Sequence, residues 1–69
     1  MIYKTEIDDH SFIEAESCSI DKYVQLHIVQ GFINNKNVLV ESIINLELDD
    51  RTCRDLIKSL RFSLDDLNS

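Results

Sequence analysis

The sequence predicts an α+β fold, a small antiparallel β-meander of about four strands followed by one C-terminal amphipathic helix packed on one sheet face. Up to Leu48, apolar residues alternate with polar ones or gather in β-branched runs, and both patterns are typical of strands. After Asp49 the apolar residues recur every three or four positions, which is typical of a helix with one buried side. A chain of 69 residues has room for one domain of this kind.

The order of the elements follows from the polar connections between them. Asp8-Asp9-His10-Ser11 is typical of a turn, and residues 19–22 form the next connection. Asp49 or Asp50 is suited to cap the helix, because an aspartate side chain accepts hydrogen bonds from the free N–H groups of a first turn. The predicted strands cover residues 2–8, 12–19, 22–33 and 37–48, and the predicted helix covers residues 50–66.

The strongest local signal is a hairpin between residues 23 and 48. Two β-rich segments flank Asn34-Asn35-Lys36-Asn37, and asparagine tolerates the left-handed backbone that tight turns require. Cross-strand partners must share a sheet face, and a two-residue loop would break this rule by pairing Ile33 with Val38. We therefore expect a loop of three or five residues, unless a bulge at Gly31 restores the register.

Both faces of this hairpin carry apolar residues. The even-numbered face has Val24, Leu26, Ile28, Phe32, Val38, Val40, Ile44, Leu46 and Leu48. The odd-numbered face is polar at one end and apolar towards the loop, at Val29, Ile33, Leu39 and Ile43. One helix covers only one side of a small sheet, and we expect it to cover the even-numbered face. The odd-numbered patch is then predicted as a homodimer or partner interface.

The predicted helix carries an apolar stripe and a basic stripe side by side. The apolar stripe comprises Cys53, Leu56, Ile57, Leu60, Leu64 and Leu67, and the basic stripe comprises Arg51, Arg54, Lys58 and Arg61. Phe62 projects from the polar side if the helix is regular, whereas a new turn capped within residues 63–66 would aim it inwards. Both arrangements remain open. Candidate partner contacts are Arg54, Lys58, Arg61 and Phe62 on the helix, with Glu14 and Glu16 on the second strand.

Charge and cysteine usage narrow the setting. The net charge is −6, and the acids are concentrated in residues 1–21, which disfavours direct nucleic-acid binding and adhesion to anionic membranes. No signal-peptide pattern is present, and no apolar run is long enough to span a bilayer. Cys18 and Cys53 are expected to be buried, reduced thiols, and the chain is expected to be cytoplasmic.

Catalytic chemistry has little support in the sequence. There is no Gly-rich phosphate loop and no nucleophile elbow. His27 shares its strand face with two glutamates and a tyrosine, but a histidine so placed is far more often a surface or interface residue than a general base. Glu14 and Glu16 would need a pocket, for which a small meander has little volume. With no paired spacing of metal ligands either, we expect no enzymatic activity, no metal and no cofactor.

The size, the acidity and the proline-free composition rich in Asn, Ile, Lys and Asp resemble those of small accessory proteins of bacterial viruses. Some of those proteins inhibit host defence systems. Together with the uncovered patch, the resemblance implies a homodimer in the host cytoplasm that binds and inhibits or modulates a larger host protein, such as a defence-system component. It assigns no residue roles. Two alternatives stay open: a non-inhibitory accessory or assembly subunit of a larger complex, and an acidic inhibitor that mimics nucleic acid.

Overall fold

The computed structural model describes all residues, 1–69. The elements are β1 (Ile2–Asp8), β2 (Ser11–Cys18), β3 (Tyr23–Ile33), β4 (Leu39–Leu48) and α1 (Asp50–Leu67). The strands form one antiparallel sheet in the order β1-β2-β3-β4, and α1 contacts β3 and β4. The predicted α+β class is therefore confirmed. The predicted bounds of the elements agree with the observed ones to within two residues.

The loop between β3 and β4 has the odd length that the face rule requires. Ile33 pairs with Leu39, so the loop consists of the five residues 34–38, and Val38 belongs to it instead of to the strand. The Asn34 side chain accepts hydrogen bonds from the N–H groups of Lys36 at 2.9 Å and Val38 at 3.0 Å. Asn37 adopts a left-handed backbone with φ 60°. The asparagines thus build this loop, as their conformational tolerance predicts.

Gly31 does not form the bulge that the sequence analysis allowed at this position. It pairs regularly with Glu41 across the hairpin, and the irregularity of the sheet lies between Glu6 and Asp8 instead. A Cβ atom at Gly31 would lie 2.5 Å from the carbonyl oxygen of His10. The Gly31 N–H also donates to the buried Ser11 hydroxyl at 3.0 Å. Glycine is therefore needed for the close approach of the β1–β2 turn to β3.

Replacing Gly31 with Ala is expected to destabilise the protein by about 1–3 kcal/mol, because the new methyl group meets backbone that cannot move away without breaking the Ser11 contact. An alanine that fitted without strain would instead stabilise the fold by about 0.4–1 kcal/mol, since it restricts the unfolded chain. Urea unfolding followed by circular dichroism gives the sign. Stabilisation would contradict the close approach of His10 to Gly31.

The strand register defines two sheet faces. Glu14 lies opposite His27, so even-numbered residues of β2 share a face with odd-numbered residues of β3. We call the face with the even-numbered residues of β3 and β4 the apolar face; it carries Tyr3, Ile13, Ala15, Val24, Leu26, Ile28, Phe32, Val40, Ile44, Leu46 and Leu48. We call the second the mixed face; it carries Ile2, Lys4, Phe12, Glu14, Glu16, Gln25, His27, Val29, Ile33, Leu39, Glu41, Ile43, Asn45 and Glu47.

Helix α1 begins at a side-chain cap and continues without a break to Leu67. Asp49 is the N-cap residue, and its carboxylate accepts a hydrogen bond from the Thr52 N–H at 2.8 Å. No new turn starts within residues 63–66. The regular helix therefore leaves Phe62 on the side opposite the apolar stripe, where it is exposed.

Two carboxylates that accept backbone hydrogen bonds, Asp8 in the β1–β2 turn and Asp49 at the helix cap, are expected to make the stability of the fold sensitive to acid. Asp49 accepts from Thr52, and Asp8 accepts from the His10 N–H at 2.9 Å. These backbone hydrogen bonds lower the pKa of both carboxyls from the ordinary value of 3.8. A carboxyl whose pKa is lowered by folding stabilises the fold above its unfolded pKa, and this contribution disappears as the pH falls through the folded pKa.

We therefore expect the urea midpoint to fall on acidification below about 3.8. Asn at position 49 still caps the helix but does not titrate, so the Asp49→Asn variant is expected to show a weaker pH dependence over that window. Asp55→Asn, on the same helix but outside the cap, is the matched control. If the Asp49→Asn protein followed the parent profile at every pH, the cap would not contribute to acid sensitivity.

The helix contacts the sheet but leaves most of the apolar face open. Cys53 is the only helix residue that is not exposed, so the contact is confined to the start of α1. The connection consists of Asp49 alone, and its backbone is extended, with φ −72° and ψ 175°. The expectation that this helix covers the even-numbered face within its own chain is thus corrected. Phe32, Val40, Ile44 and Leu46 of that face are exposed.

The chain consequently lacks a hydrophobic core of its own. Only Val29 and Ser11 are buried. The molecule measures 43 × 39 × 16 Å, and its radius of gyration is 14.8 Å. A compact chain of this length has a radius of gyration of about 11 Å. The helix therefore extends beside the sheet, and the apolar surfaces of both lie open.

Candidate protein interface

The apolar face is the largest uncovered surface of the sheet. Its exposed side chains lie mainly on β3 and β4, the two longest strands, and comprise Phe32, Val40, Ile44 and Leu46. Ile13, Ala15, Val24, Leu26 and Ile28 continue the same surface and are half-buried. No charged residue of β3 or β4 points to this side. A surface of this kind is typical of a buried contact.

The second uncovered surface is the apolar stripe of α1. Leu56, Ile57, Leu60, Leu64 and Leu67 are all exposed, although their spacing places them on one side of the helix. An isolated helix of this length is only marginally stable in water unless its apolar side is packed. The sheet of the same chain leaves this stripe unpacked.

The size of the exposed surface can be compared with that of a compact protein. The chain exposes 6100 Å², whereas a compact monomer of 8.0 kDa exposes about 4,500 Å². The excess is roughly 1,600 Å² per chain. This excess is as large as a whole protein–protein interface of standard size.

The patch predicted on the mixed face is partly filled from within. Val29 is only 3 % exposed, because the strand register places it between Phe12 of β2 and Ile43 of β4. The Lys4 ammonium lies 4.3 Å from the centre of the Phe12 ring and closes this side further. Val29 is therefore a packed residue and not a contact residue. Ile33, Leu39 and Ile43 remain exposed near the loop, and we call these three the hairpin patch.

The polar end of the mixed face places residues of β2 next to residues of β3 that the sequence analysis did not predict to be neighbours. His27 was grouped with Tyr23, Glu41 and Glu47, but its Nδ1 is hydrogen-bonded to the side chain of Asn45. Glu14, Glu16, Gln25, His27 and Ile2 line a shallow depression of about 140 Å³. The signal for this grouping was the four-residue connection 19–22, which pairs Cys18 with Tyr23 and brings even-numbered residues of β2 to this face.

The basic stripe of α1 is largely free. The Arg54 guanidinium donates to the Asp50 carboxylate at 2.9 Å, one turn earlier on the same helix, and this hydrogen bond raises the pKa of Arg54. The acidic strands form no ion pair with the helix. Arg54, Lys58 and Arg61 surround Ile57 in a second shallow depression. Phe62 does not line this depression but lies one helical turn beyond Lys58, next to its edge.

The cysteines are not paired with each other and belong to no cluster of metal-binding side chains. Cys18 and Cys53 are both free thiols and are half-buried instead of buried. The Cys18 thiol is the main cause of a raised pKa at Tyr23. No three side chains of the metal-binding types lie together. Helix α1 is not long and apolar enough to cross a membrane.

No protein family, curated protein or solved structure matches the chain. The features of the chain that bear on its function are the two uncovered apolar surfaces, the hairpin patch and the distribution of charge.

Proposed function

We propose that this chain is a protein-binding module that works as part of a stable protein assembly and not as an isolated subunit. The observation that carries the proposal is the excess of roughly 1,600 Å² of exposed surface over that of a compact monomer. The exposed surface includes the apolar side chains of the apolar face and of the stripe of α1. Burying such surface is the main source of stability in proteins, so the assembly supplies the core that the chain lacks.

The assembled module is proposed to bind a larger protein and to inhibit or modulate it by steric occlusion. The hairpin patch supports this second step, because it stays exposed on the mixed face when the apolar face is covered. Ile33 and Leu39 are cross-strand partners, and Ile43 lies on the same face of β4. Ile33 and Leu39 form an aliphatic pair at the tip of the hairpin, and Ile43 adds a third exposed side chain four residues further along β4, beyond Glu41.

The assembly is tested by measuring the mass and the thermal stability of the purified chain. We expect light scattering to give a mass above 8.0 kDa at micromolar concentration. We also expect the thermal midpoint to rise with protein concentration, because subunit association is then coupled to folding. A folded 8.0 kDa monomer with a cooperative transition that is independent of concentration would overturn the proposed function.

The target-binding step is tested separately with variants of the hairpin patch. Leu39→Ser is expected to keep the assembled mass and to lose a protein captured by the parent chain from host cytosol. Phe62→Ser, on an exposed part of the helix, is the matched control and is expected to retain the captured protein. Equal retention by both variants would exclude the hairpin patch as the target surface.

A further inference from the structure

We propose that the chain assembles as a twofold dimer in which helix α1 of each copy lies on the apolar face of the other copy. This inference rests on the proposed function, which requires an assembly but does not say what covers the open surfaces. The occupant is a second copy of this chain, and the exchanged element is α1. The helix stripe and the apolar face then form two equivalent cores, one in each half of the dimer.

The area agrees with this arrangement. If each chain hides its excess of roughly 1,600 Å², the dimer buries about 3,200 Å² in total. Obligate homodimers bury about 2,000–5,000 Å², and their interfaces are more apolar than those of transient complexes. Each copy offers one helix stripe and one apolar face. Two copies therefore cover each other's stripe and apolar face, and neither of these two surfaces is left to recruit a third copy.

The dimensions of the two surfaces also correspond. Helix α1 has 18 residues and is about 27 Å long. β3 and β4, with 11 and 10 residues, extend for about 33–37 Å. A helix is about 10 Å wide with its side chains, which is close to the width of two neighbouring strands. One helix thus fits along the β3–β4 half of the apolar face, where the most exposed side chains lie.

The connection between β4 and α1 favours exchange over folding back. β4 ends at Leu48 and the helix begins at Asp50, so Asp49 is the only linking residue. Asp49 has an extended backbone, and its side chain caps the helix. The helix therefore leaves its own sheet after the first turn. A short connection between two elements favours their exchange between identical chains.

The simplest alternative, a sandwich of two apolar faces, would leave the apolar stripe of α1 uncovered in both copies. Residues 50–67 carry four acids and four bases and are neutral, so the whole net charge of −6 lies on the sheet part and its loops. A helix without net charge can lie on the acidic sheet of the other copy without net repulsion. Arg54 and Arg61, which flank the stripe, would then lie near the acidic rim of the other copy.

The proposal is tested by complementation between two damaged chains. Ile44→Asp places a charge in the apolar face, and Leu60→Glu places one in the helix stripe. Each variant alone is expected to lose the dimer, which shifts the mass from twice 8.0 kDa to 8.0 kDa in native mass spectrometry. The two variants are then mixed in urea and refolded together. Their masses differ, so the mixed dimer is resolved from both homodimers.

The mixed dimer is expected to form, because the intact helix of the Ile44→Asp chain can lie on the intact apolar face of the Leu60→Glu chain. This result does not require either variant to fold alone. A parent dimer with no mixed dimer would overturn the exchange and leave the proposed function standing. A parent chain that folds only with a different protein, or that forms a larger ring, would overturn the twofold dimer alone. A folded, concentration-independent parent monomer would overturn both.

Discussion

Replacing Leu60 with Ala is expected to lower the free energy of unfolding of the assembled protein by about 2–5 kcal/mol, the range for removing a buried leucine side chain. Leu60 lies in the middle of the helix stripe, which the proposed assembly would bury. In the single chain its side chain is 62 % exposed. The size of the loss therefore measures how much of this exposure persists in solution. Urea unfolding at fixed protein concentration gives the value.

Phe62→Ala is the matched control for this experiment. Phe62 is 61 % exposed in the single chain, nearly the same as Leu60, and belongs to the same helix. It lies on the opposite side, so we expect its replacement to change the free energy by no more than about 0.5 kcal/mol. Equal effects of the two replacements would show that the stripe stays exposed to solvent in solution, as it is in the single chain.

Replacing Ile44 with Asp is expected to abolish the assembly at micromolar concentration. The side chain projects from the middle of β4 onto the apolar face, and in the assembly a carboxylate there would be enclosed by aliphatic side chains without a hydrogen-bond partner. The loss is read as a fall in mass by light scattering, accompanied by loss of the circular dichroism signal of the helix, which depends on packing.

Ile43→Asp controls for the introduction of charge into β4. The two residues are neighbours, and in the single chain Ile43 is 55 % and Ile44 is 51 % exposed. Their side chains project to opposite faces, so Ile43→Asp is expected to keep the assembled mass and to lose only the target. If Ile43→Asp dissociated the protein and Ile44→Asp did not, the subunits would meet through the hairpin patch, as the sequence alone predicted.

The elements of the fold were predictable because their signals are local. The asparagine loop, the helix cap at Asp49 and the change of apolar spacing after Leu48 each depend on residues a few positions apart. The odd length of the hairpin loop was predictable for the same reason, since it follows from the alternation of side chains along two adjacent strands. The purpose of Gly31 was not predictable, because His10, the residue it accommodates, lies twenty-one positions away.

The candidate interface was predictable only in part. The alternation of residues indicated that one chain has more apolar surface than it can cover, and the structure agrees. The sequence assigned the uncovered surface to the odd-numbered face, with Val29 among its residues. The structure packs Val29 beneath Phe12, leaves Ile33, Leu39 and Ile43 exposed as predicted, and opens the even-numbered face as well.

The sequence by itself thus determined the strands, the helix and the apolar stripe of this protein, and it restricted the hairpin loop to an odd length or a bulge. Only the tertiary structure decided which apolar surface remains uncovered. The physical reason is that a helix pattern specifies which side of α1 must be buried but not the direction in which the helix leaves the sheet. That direction depends on the backbone of one residue, Asp49, whereas the burial of Val29 depends on the sheet register that places it between Phe12 and Ile43.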